Sequence, residues 1–146
     1  MASNIMIVDD SVSVRKMVAF TLENAGYTVS EAENGRDALE KLKTTQNIHM
    51  FILDLNMPDM DGIELTGLLR SMDDYHFTPI VMLSTESQTS TKNEARSAGA
   101  TGWITKPFKP YELINVVEKV NFGYLITDFL KITAGTVCPE RAAACC

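Results

Sequence analysis

The chain has 146 residues, of which 45% are hydrophobic and 22% charged, as in an ordinary globular domain. Nineteen acidic residues against 13 basic ones give a net charge of −6, which argues against a protein that binds the phosphate backbone of nucleic acids. No apolar run approaches the roughly 20 residues of a membrane-spanning helix, and no secretory signal begins the chain. All three cysteines lie at or beyond position 138, too late to staple the body of the fold, so we expect a cytoplasmic protein.

Short apolar runs alternate with amphipathic stretches five times along the chain. The apolar runs, which we predict to be strands, are residues 5–8, 27–32, 50–53, 80–83 and 102–105. The amphipathic stretches, which we predict to be helices, are residues 14–22, 37–43, 63–72, 88–98 and 110–120. This alternation predicts an α/β domain over residues 1–121, with a parallel sheet covered by helices on both faces.

Residues 122–146 depart from this pattern. About 25 residues are too few for a separate core, so we expect no effector domain in this segment. We interpret the segment as a C-terminal extension that packs on the domain, mediates self-association or is not native. It begins with an apolar stripe at helical spacing, formed by Phe122, Leu125, Ile126 and Phe129.

The polar residues at the ends of the predicted strands are the candidate site, because open parallel sheets bind ligands beyond the carboxyl ends of their strands. These residues are Asp9 and Asp10 after the first strand, Asp54 after the third, Ser84 and Thr85 after the fourth, and Lys106 after the fifth. Each taken alone could simply cap a helix or face solvent. Together they place three carboxylates, a hydroxyl and an ammonium group on one edge of the sheet.

The charges of this cluster indicate its chemistry. Two carboxylates about 4 Å apart repel by roughly 4 kcal/mol at an effective dielectric constant of 20, so three require raised pKa values or a cation. Oxygen ligands at a shallow, wet site suit Mg²⁺. An aspartate beside a divalent cation, with a lysine and a hydroxyl facing it, is an arrangement suited to phosphoryl transfer.

Four segments around these residues are similar to a known family in order and spacing. They are residues 5–11 (IMIVDDS), 51–62 (FILDLNMPDMDG), 82–86 (MLSTE) and 102–108 (GWITKPF). Over roughly residues 3–121 the chain resembles the two-component response-regulator receiver family, and in detail its stand-alone chemotaxis receivers of the CheY type. The resemblance implies a flavodoxin-like, doubly wound sheet of five parallel strands in the order 2-1-3-4-5.

The resemblance also implies a role for each acidic residue. Asp54 is the phospho-acceptor. Asp10, Asp54 and the backbone carbonyl of Asn56 bind Mg²⁺, and Asp9 holds a metal-bound water. The implied activity is that of a phospho-acceptor signalling protein, with intrinsic self-phosphorylation and autodephosphorylation, rather than that of an enzyme.

Further roles follow from the same resemblance. Ser84 and Lys106 contact the phosphoryl group, and the peptide bond before Pro107 is cis. Ser84 and Trp103 form the conformational switch, although tryptophan is larger than the aromatic residue usual at this position. Asn56 and Glu86 flank the path of the hydrolytic water and tune dephosphorylation. Thr85 replaces a smaller residue.

The implied partners are proteins. A histidine kinase of the CheA type would donate the phosphoryl group. A flagellar motor switch or another protein would bind the face formed by the fourth helix, fifth strand and fifth helix. Neither nucleic acid nor membrane insertion is expected.

Other functions fit the sequence less well. A haloacid-dehalogenase-like phosphatase carries its nucleophile after the first strand in an Asp-x-Asp pattern, whereas this chain has adjacent acids there. An FMN module would place a phosphate where those two acids repel it, and no nucleotide-binding P-loop is present. A receiver fragment of a larger signalling protein and a phosphate sink remain open. The initial methionine and the absence of a linker-like composition after residue 121 favour a self-standing protein.

Overall fold

The computed structural model describes residues 3–121 except Gln46, Ser87 and the side chain of Asn121. The predicted apolar stripe beyond residue 121 lies outside the described residues. Five strands and five helices alternate, with a short 3-10 helix (Asp73–Tyr75) before the fourth strand. The strands are β1 (Asn4–Val8), β2 (Thr28–Ala32), β3 (Met50–Asp54), β4 (Ile80–Ser84) and β5 (Gly102–Thr105). The helices are α1 (Val12–Asn24), α2 (Gly35–Leu42), α3 (Gly62–Arg70), α4 (Thr89–Ala98) and α5 (Pro110–Asn121).

All five strands are parallel and form one sheet in the order β2-β1-β3-β4-β5, which confirms the predicted topology. The chain runs outward from β1 to β2 on one side and from β3 to β5 on the other. Val8 pairs with Leu53, and Asp54 pairs with Leu83. The neighbouring ends of β1 and β3 therefore form the point at which the winding direction changes.

The central strands are buried on both faces, as their continuous apolar runs predict. Ile5 and Ile7 pack in one core with residues of α1 and α5. Met6 and Val8 pack in a second core with residues of α2, α3 and α4. Side chains that alternate along each strand thus fill two layers, and the helices of each layer fix the loops at the carboxyl edge of the sheet.

Local hydrogen bonds set the helix ends and explain where our predicted boundaries were wrong. Helix α2 begins two residues earlier than predicted because the side chain of Asn34 caps it, accepting from the Asp37 N–H at 2.8 Å. Helix α3 ends two residues earlier because Ser71 ends it, its hydroxyl donating to the Leu68 carbonyl at 2.6 Å. Gly99 ends α4 at φ 117°, a conformation that glycine adopts without strain.

Within the described residues, no helix combines the length and apolarity needed to cross a membrane.

Candidate functional site

Three carboxylates meet at the carboxyl edge of the sheet. Asp9 and Asp10 follow β1, and Asp54 is the last residue of β3 rather than the first residue after it. One oxygen of each carboxylate lies within 4.8 Å of the others. Asp9 and Asp54 are buried, whereas Asp10 is exposed. The cluster lies where the winding of the sheet changes direction, which is where open α/β sheets bind ligands.

Lys106, which follows β5, forms ion pairs with two of these carboxylates. Its Nζ donates to Oδ1 of Asp54 at 3.0 Å and to Oδ2 of Asp9 at 3.2 Å. Burial alone would lower the pKa of Lys106, but its contacts with Asp54 and Asp9 hold that pKa above the usual value. Three carboxylates and one ammonium group give the cluster a formal charge of −3 + 1 = −2.

The carboxyl group of Asp54 binds protons more tightly than a free aspartate. Burial is the largest cause, and the charges of Asp9 and Asp10 add to it. Lys106 opposes both effects, and the resulting pKa is about 6. Asp54 is therefore mostly ionised at neutral pH, the form in which a carboxylate acts as a nucleophile.

Asp9 is held in place by the start of α1. Its Oδ1 accepts from the Ser11 N–H at 2.8 Å, and Ser11 in turn caps α1. Arg15 donates to the Asp9 carbonyl oxygen at 2.6 Å and pairs with Glu31 at 3.1 Å. Arg15 was not among the predicted site residues, because its contact depends on the reach of a long side chain rather than on a spacing in the sequence.

The loop after Asp54 ends at Gly62, where the chain passes so close to the end of β3 that only a glycine fits. A Cβ atom at this position would lie 2.7 Å from the Asp54 carbonyl oxygen, a distance that real Cβ atoms do not show. The Gly62 N–H also donates to the Leu55 carbonyl at 2.9 Å. A larger residue would therefore press on the backbone at the end of β3, the strand that carries Asp54.

The donor set fits a hard divalent cation. The three carboxylates are all oxygen ligands, they converge at one point, and Lys106 neutralises only part of their charge. At about 5 Å and an effective dielectric constant of 20, two such charges repel by roughly 3 kcal/mol, which a bound cation would relieve. Mg²⁺ prefers few protein carboxylates and several retained waters, which an exposed Asp10 allows.

Ser84 lies on the neighbouring strand end, buried at the last position of β4. Its hydroxyl accepts from the Glu86 N–H at 2.8 Å, and its carbonyl accepts from the Lys106 N–H at 2.8 Å. The Glu86 carboxylate accepts from the Gln88 N–H at 3.1 Å, just before α4. Hydrogen bonds thus run from Ser84 to the start of α4, while Thr85 is exposed.

The remaining predicted residues surround this cluster at different depths. Asn56 is exposed, two residues beyond Asp54. The Lys106–Pro107 peptide bond is cis. Trp103 is fully buried, and it belongs to the core beneath α2, α3 and α4. The structure therefore brings the three acids together, pairs Lys106 with Asp9 and Asp54, and places the ring of Trp103 inward.

The fold and the acidic site together define a doubly wound α/β domain of the CheY type. Residues 5–118 match the family described as the response regulator receiver domain. The chain belongs to this family, a family of two-component signalling proteins, and it is a CheY-like receiver. Receiver domains generally bind Mg²⁺ at an acidic pocket, which agrees with the cluster seen here.

Individual relatives agree with this assignment. The chain is 38% identical over 117 residues to the chemotaxis protein CheY1 of Helicobacter pylori, covering 80% of this chain and 94% of that protein. The structure of CheY4 from Vibrio cholerae superposes with a TM-score of 0.79 at 42% identity, covering 82% of this chain and 99% of that one. The transcriptional regulatory protein SrrA of Staphylococcus aureus is 36% identical over 114 residues, which are 78% of this chain and 46% of that protein. The chain thus spans nearly all of some relatives and about half of others.

Proposed function

We propose that the chain is a response regulator that accepts a phosphoryl group on Asp54 from a histidine kinase. The observation that carries this proposal is the buried Asp54 carboxylate, paired with Lys106 and grouped with two further acids at the edge of the sheet. Asp10, Asp54 and the carbonyl of Asn56 would hold Mg²⁺, and Asp9 would hold a water bound to it. When bound, the metal would supply positive charge to the phosphoryl oxygens.

The residues of the chain then divide the work of transfer. An oxygen of Asp54 attacks the phosphorus of a phosphohistidine, the P–N bond breaks, and the donor imidazole leaves with the electron pair. Lys106 is already within hydrogen-bond distance of Asp54, so its ammonium group can neutralise charge on the transferred group without a large movement. Ser84 lies at the adjacent strand end, where its hydroxyl can donate to a phosphoryl oxygen.

We further propose that the output is phosphorylation-dependent binding of a protein to the face formed by α4, β5 and α5, in a stand-alone protein of chemotaxis. Two observations support this role. The chain is similar to the chemotaxis receivers CheY1 and CheY4, and the matches cover 94% and 99% of the lengths of those two proteins. CheY-like receivers interact with histidine kinases and downstream targets. The motor switch is the target that such a role requires. The domain over residues 1–121 would carry this function, with residues 122–146 as an extension.

A receiver within a larger regulator is the second candidate, and the relation to SrrA is the observation that favours it. A phosphate sink is a variant of the main proposal that lacks a protein target. Capture experiments with the beryllofluoride-bound chain distinguish a phosphate sink from a regulator of the motor switch, because a sink retains no motor switch protein. The length of the natural protein, measured by mass spectrometry, decides between a stand-alone protein and a fragment.

Labelling by a phosphoryl donor tests the proposed function. Acetyl phosphate or a phosphorylated histidine kinase should label the wild-type chain nearly stoichiometrically when Mg²⁺ is present. The label should be released by hydroxylamine, as expected of an acyl phosphate, and EDTA should prevent labelling. A folded chain that gains no label from either donor contradicts the proposal.

The lifetime of the phosphorylated state offers another prediction. Asn56 and Glu86 each lie two residues beyond a residue of the site, and both are polar enough to orient the attacking water. Replacing both with methionine should slow loss of the label by about tenfold, a small effect beside that of a true general base. The measurement is the decay of the labelled protein after removal of the donor.

A control variant separates the orientation of the hydrolytic water from an effect on the structure of the loop before α4. Glu86→Gln keeps an oxygen that can accept from the Gln88 N–H, so the start of α4 should be preserved. If the double methionine variant decays at the wild-type rate, neither residue orients the water.

A further inference from the structure

Helix α4 buries only two of its ten side chains, and one of them is a lysine. Lys92 and Ala95, one turn apart, face the domain, and the other eight side chains are half-buried or exposed. Lys92 is 8% exposed. A lysine is almost never buried in this way unless some contact compensates its ammonium group for lost water.

Trp103 provides such a contact. The Nζ of Lys92 lies 5.9 Å from the centroid of the Trp103 ring, within the roughly 6 Å at which a cation is attracted to the face of an indole. Trp103 is fully buried in the same core as Ala95. Because water is excluded from this core, the attraction is stronger than it would be on an open surface.

The same helix is connected to the phosphoryl site. The chain leaves Ser84 at the end of β4 and enters α4 at Thr89. The Glu86 N–H donates to the Ser84 hydroxyl, and the Glu86 carboxylate accepts from the Gln88 N–H, so successive hydrogen bonds join that hydroxyl to the N-cap residue of α4. A movement of Ser84 toward a phosphoryl group would therefore be transmitted to the helix that carries Lys92.

We propose that Lys92 is a positioning residue for Trp103. Its ammonium group holds the indole in the buried orientation beneath α4, so the orientation of the ring depends on the position of that helix. The contact itself is independent of phosphorylation. Its consequence for signalling, a change in the surroundings of the ring when α4 moves, rests on the proposed function.

Fluorescence quenching tests the contact without metal or phosphoryl group. Trp103 is the only tryptophan, so the emission of the chain reports on this ring alone. Lys92→Gln and Lys92→Met both remove the charge, and each should raise quenching by acrylamide by up to about fivefold. Lys92→Arg keeps the charge and should behave as the wild type. Lys43→Met, which removes a lysine whose side chain is 71% exposed, is the matched control and should leave the acrylamide quenching of Trp103 unchanged.

The methionine variant decides between charge and packing. Its side chain retains the apolar stem of lysine, so wild-type quenching in folded Lys92→Met would overturn the role of the ammonium group. Nuclear magnetic resonance of the wild type provides a second measurement that does not depend on variants folding. The ε-methylene protons of Lys92 should be shifted upfield by the indole ring, and unshifted protons would overturn the contact.

Beryllofluoride with Mg²⁺ tests the consequence for signalling. It should change Trp103 emission in the wild type and in Lys92→Arg, and the change should fall by at least half in Lys92→Gln because the ring is no longer held to α4. An equal response in Lys92→Gln overturns the link between Lys92 and the switch. A wild type that does not bind beryllofluoride contradicts the proposed function instead, while the quenching comparison still decides the role of Lys92.

Discussion

Asp54→Asn should abolish labelling by acetyl phosphate or by a phosphorylated histidine kinase, lowering it by about a hundredfold or more. The substitution replaces a nucleophilic carboxylate with an amide that cannot attack phosphorus. The fold should be unaffected, because the side chain keeps its shape and the amide oxygen can still accept from Lys106, which now bonds the Asp54 Oδ1 at 3.0 Å. Labelling followed by hydroxylamine treatment measures the effect.

A nearby acid provides the matched control for this substitution. Asp59 is exposed and has a φ of 70°, a left-handed conformation that asparagine adopts readily. Asp59→Asn therefore removes the same charge from the loop that follows β3, without backbone strain, and it should label as the wild type does. Stoichiometric, hydroxylamine-labile label on Asp54→Asn would show that another residue is the acceptor.

The fold was predictable from the sequence because a parallel α/β domain repeats one simple pattern. Short apolar runs such as residues 50–53 have the length and continuity of strands buried on two faces, and the amphipathic stretches between them fit the crossover helices that parallel strands require. The convergence of Asp9, Asp54 and Lys106 followed from the same geometry, since the carboxyl ends of parallel strands share an edge. The observed ion pairs of Lys106 agree with that expectation.

Features that depend on long side chains were not predictable. Arg15 reaches the Asp9 carbonyl through a particular rotamer, which no spacing in the sequence specifies. Lys92 occurs in a polar stretch that gives no sign of a buried face, because its partner Ala95 is a weak apolar signal. The inward position of Trp103 depends on both α4 and β4, so the strand alone could not determine it.

Asp10→Asn should weaken Mg²⁺ binding by tenfold or more, because it removes both a ligand and a negative charge from the cluster. Each tenfold loss of affinity lowers the stabilisation that saturating Mg²⁺ gives by about 1.4 kcal/mol. The measurement is chemical unfolding at increasing Mg²⁺ concentrations. Asp73→Asn, an exposed acid in the short 3-10 helix, is the control for the change in net charge.

Without metal, Asp10→Asn should increase the stability of the fold, and it should do so only where the Asp54 carboxyl is ionised. The charge of Asp10 is one of the causes that raise the pKa of Asp54 to about 6, after burial and together with Asp9. Because folding raises this pKa from the usual aspartate value of 3.8, the folded state loses stability as the pH rises from 3.8 through about 6, and the full cost is present above that range. Asp10→Asn should therefore raise stability at pH 7 to 8 in EDTA by on the order of 1 kcal/mol. At about pH 4 the Asp54 carboxyl is largely protonated, and the difference in stability between the variant and the wild type should nearly vanish.

Two outcomes would contradict these expectations. If Mg²⁺ stabilised the variant as strongly as the wild type, Asp10 would not be a ligand. A metal-free gain in stability of equal size at both pH values would show that repulsion of the Asp54 carboxylate is not its cause.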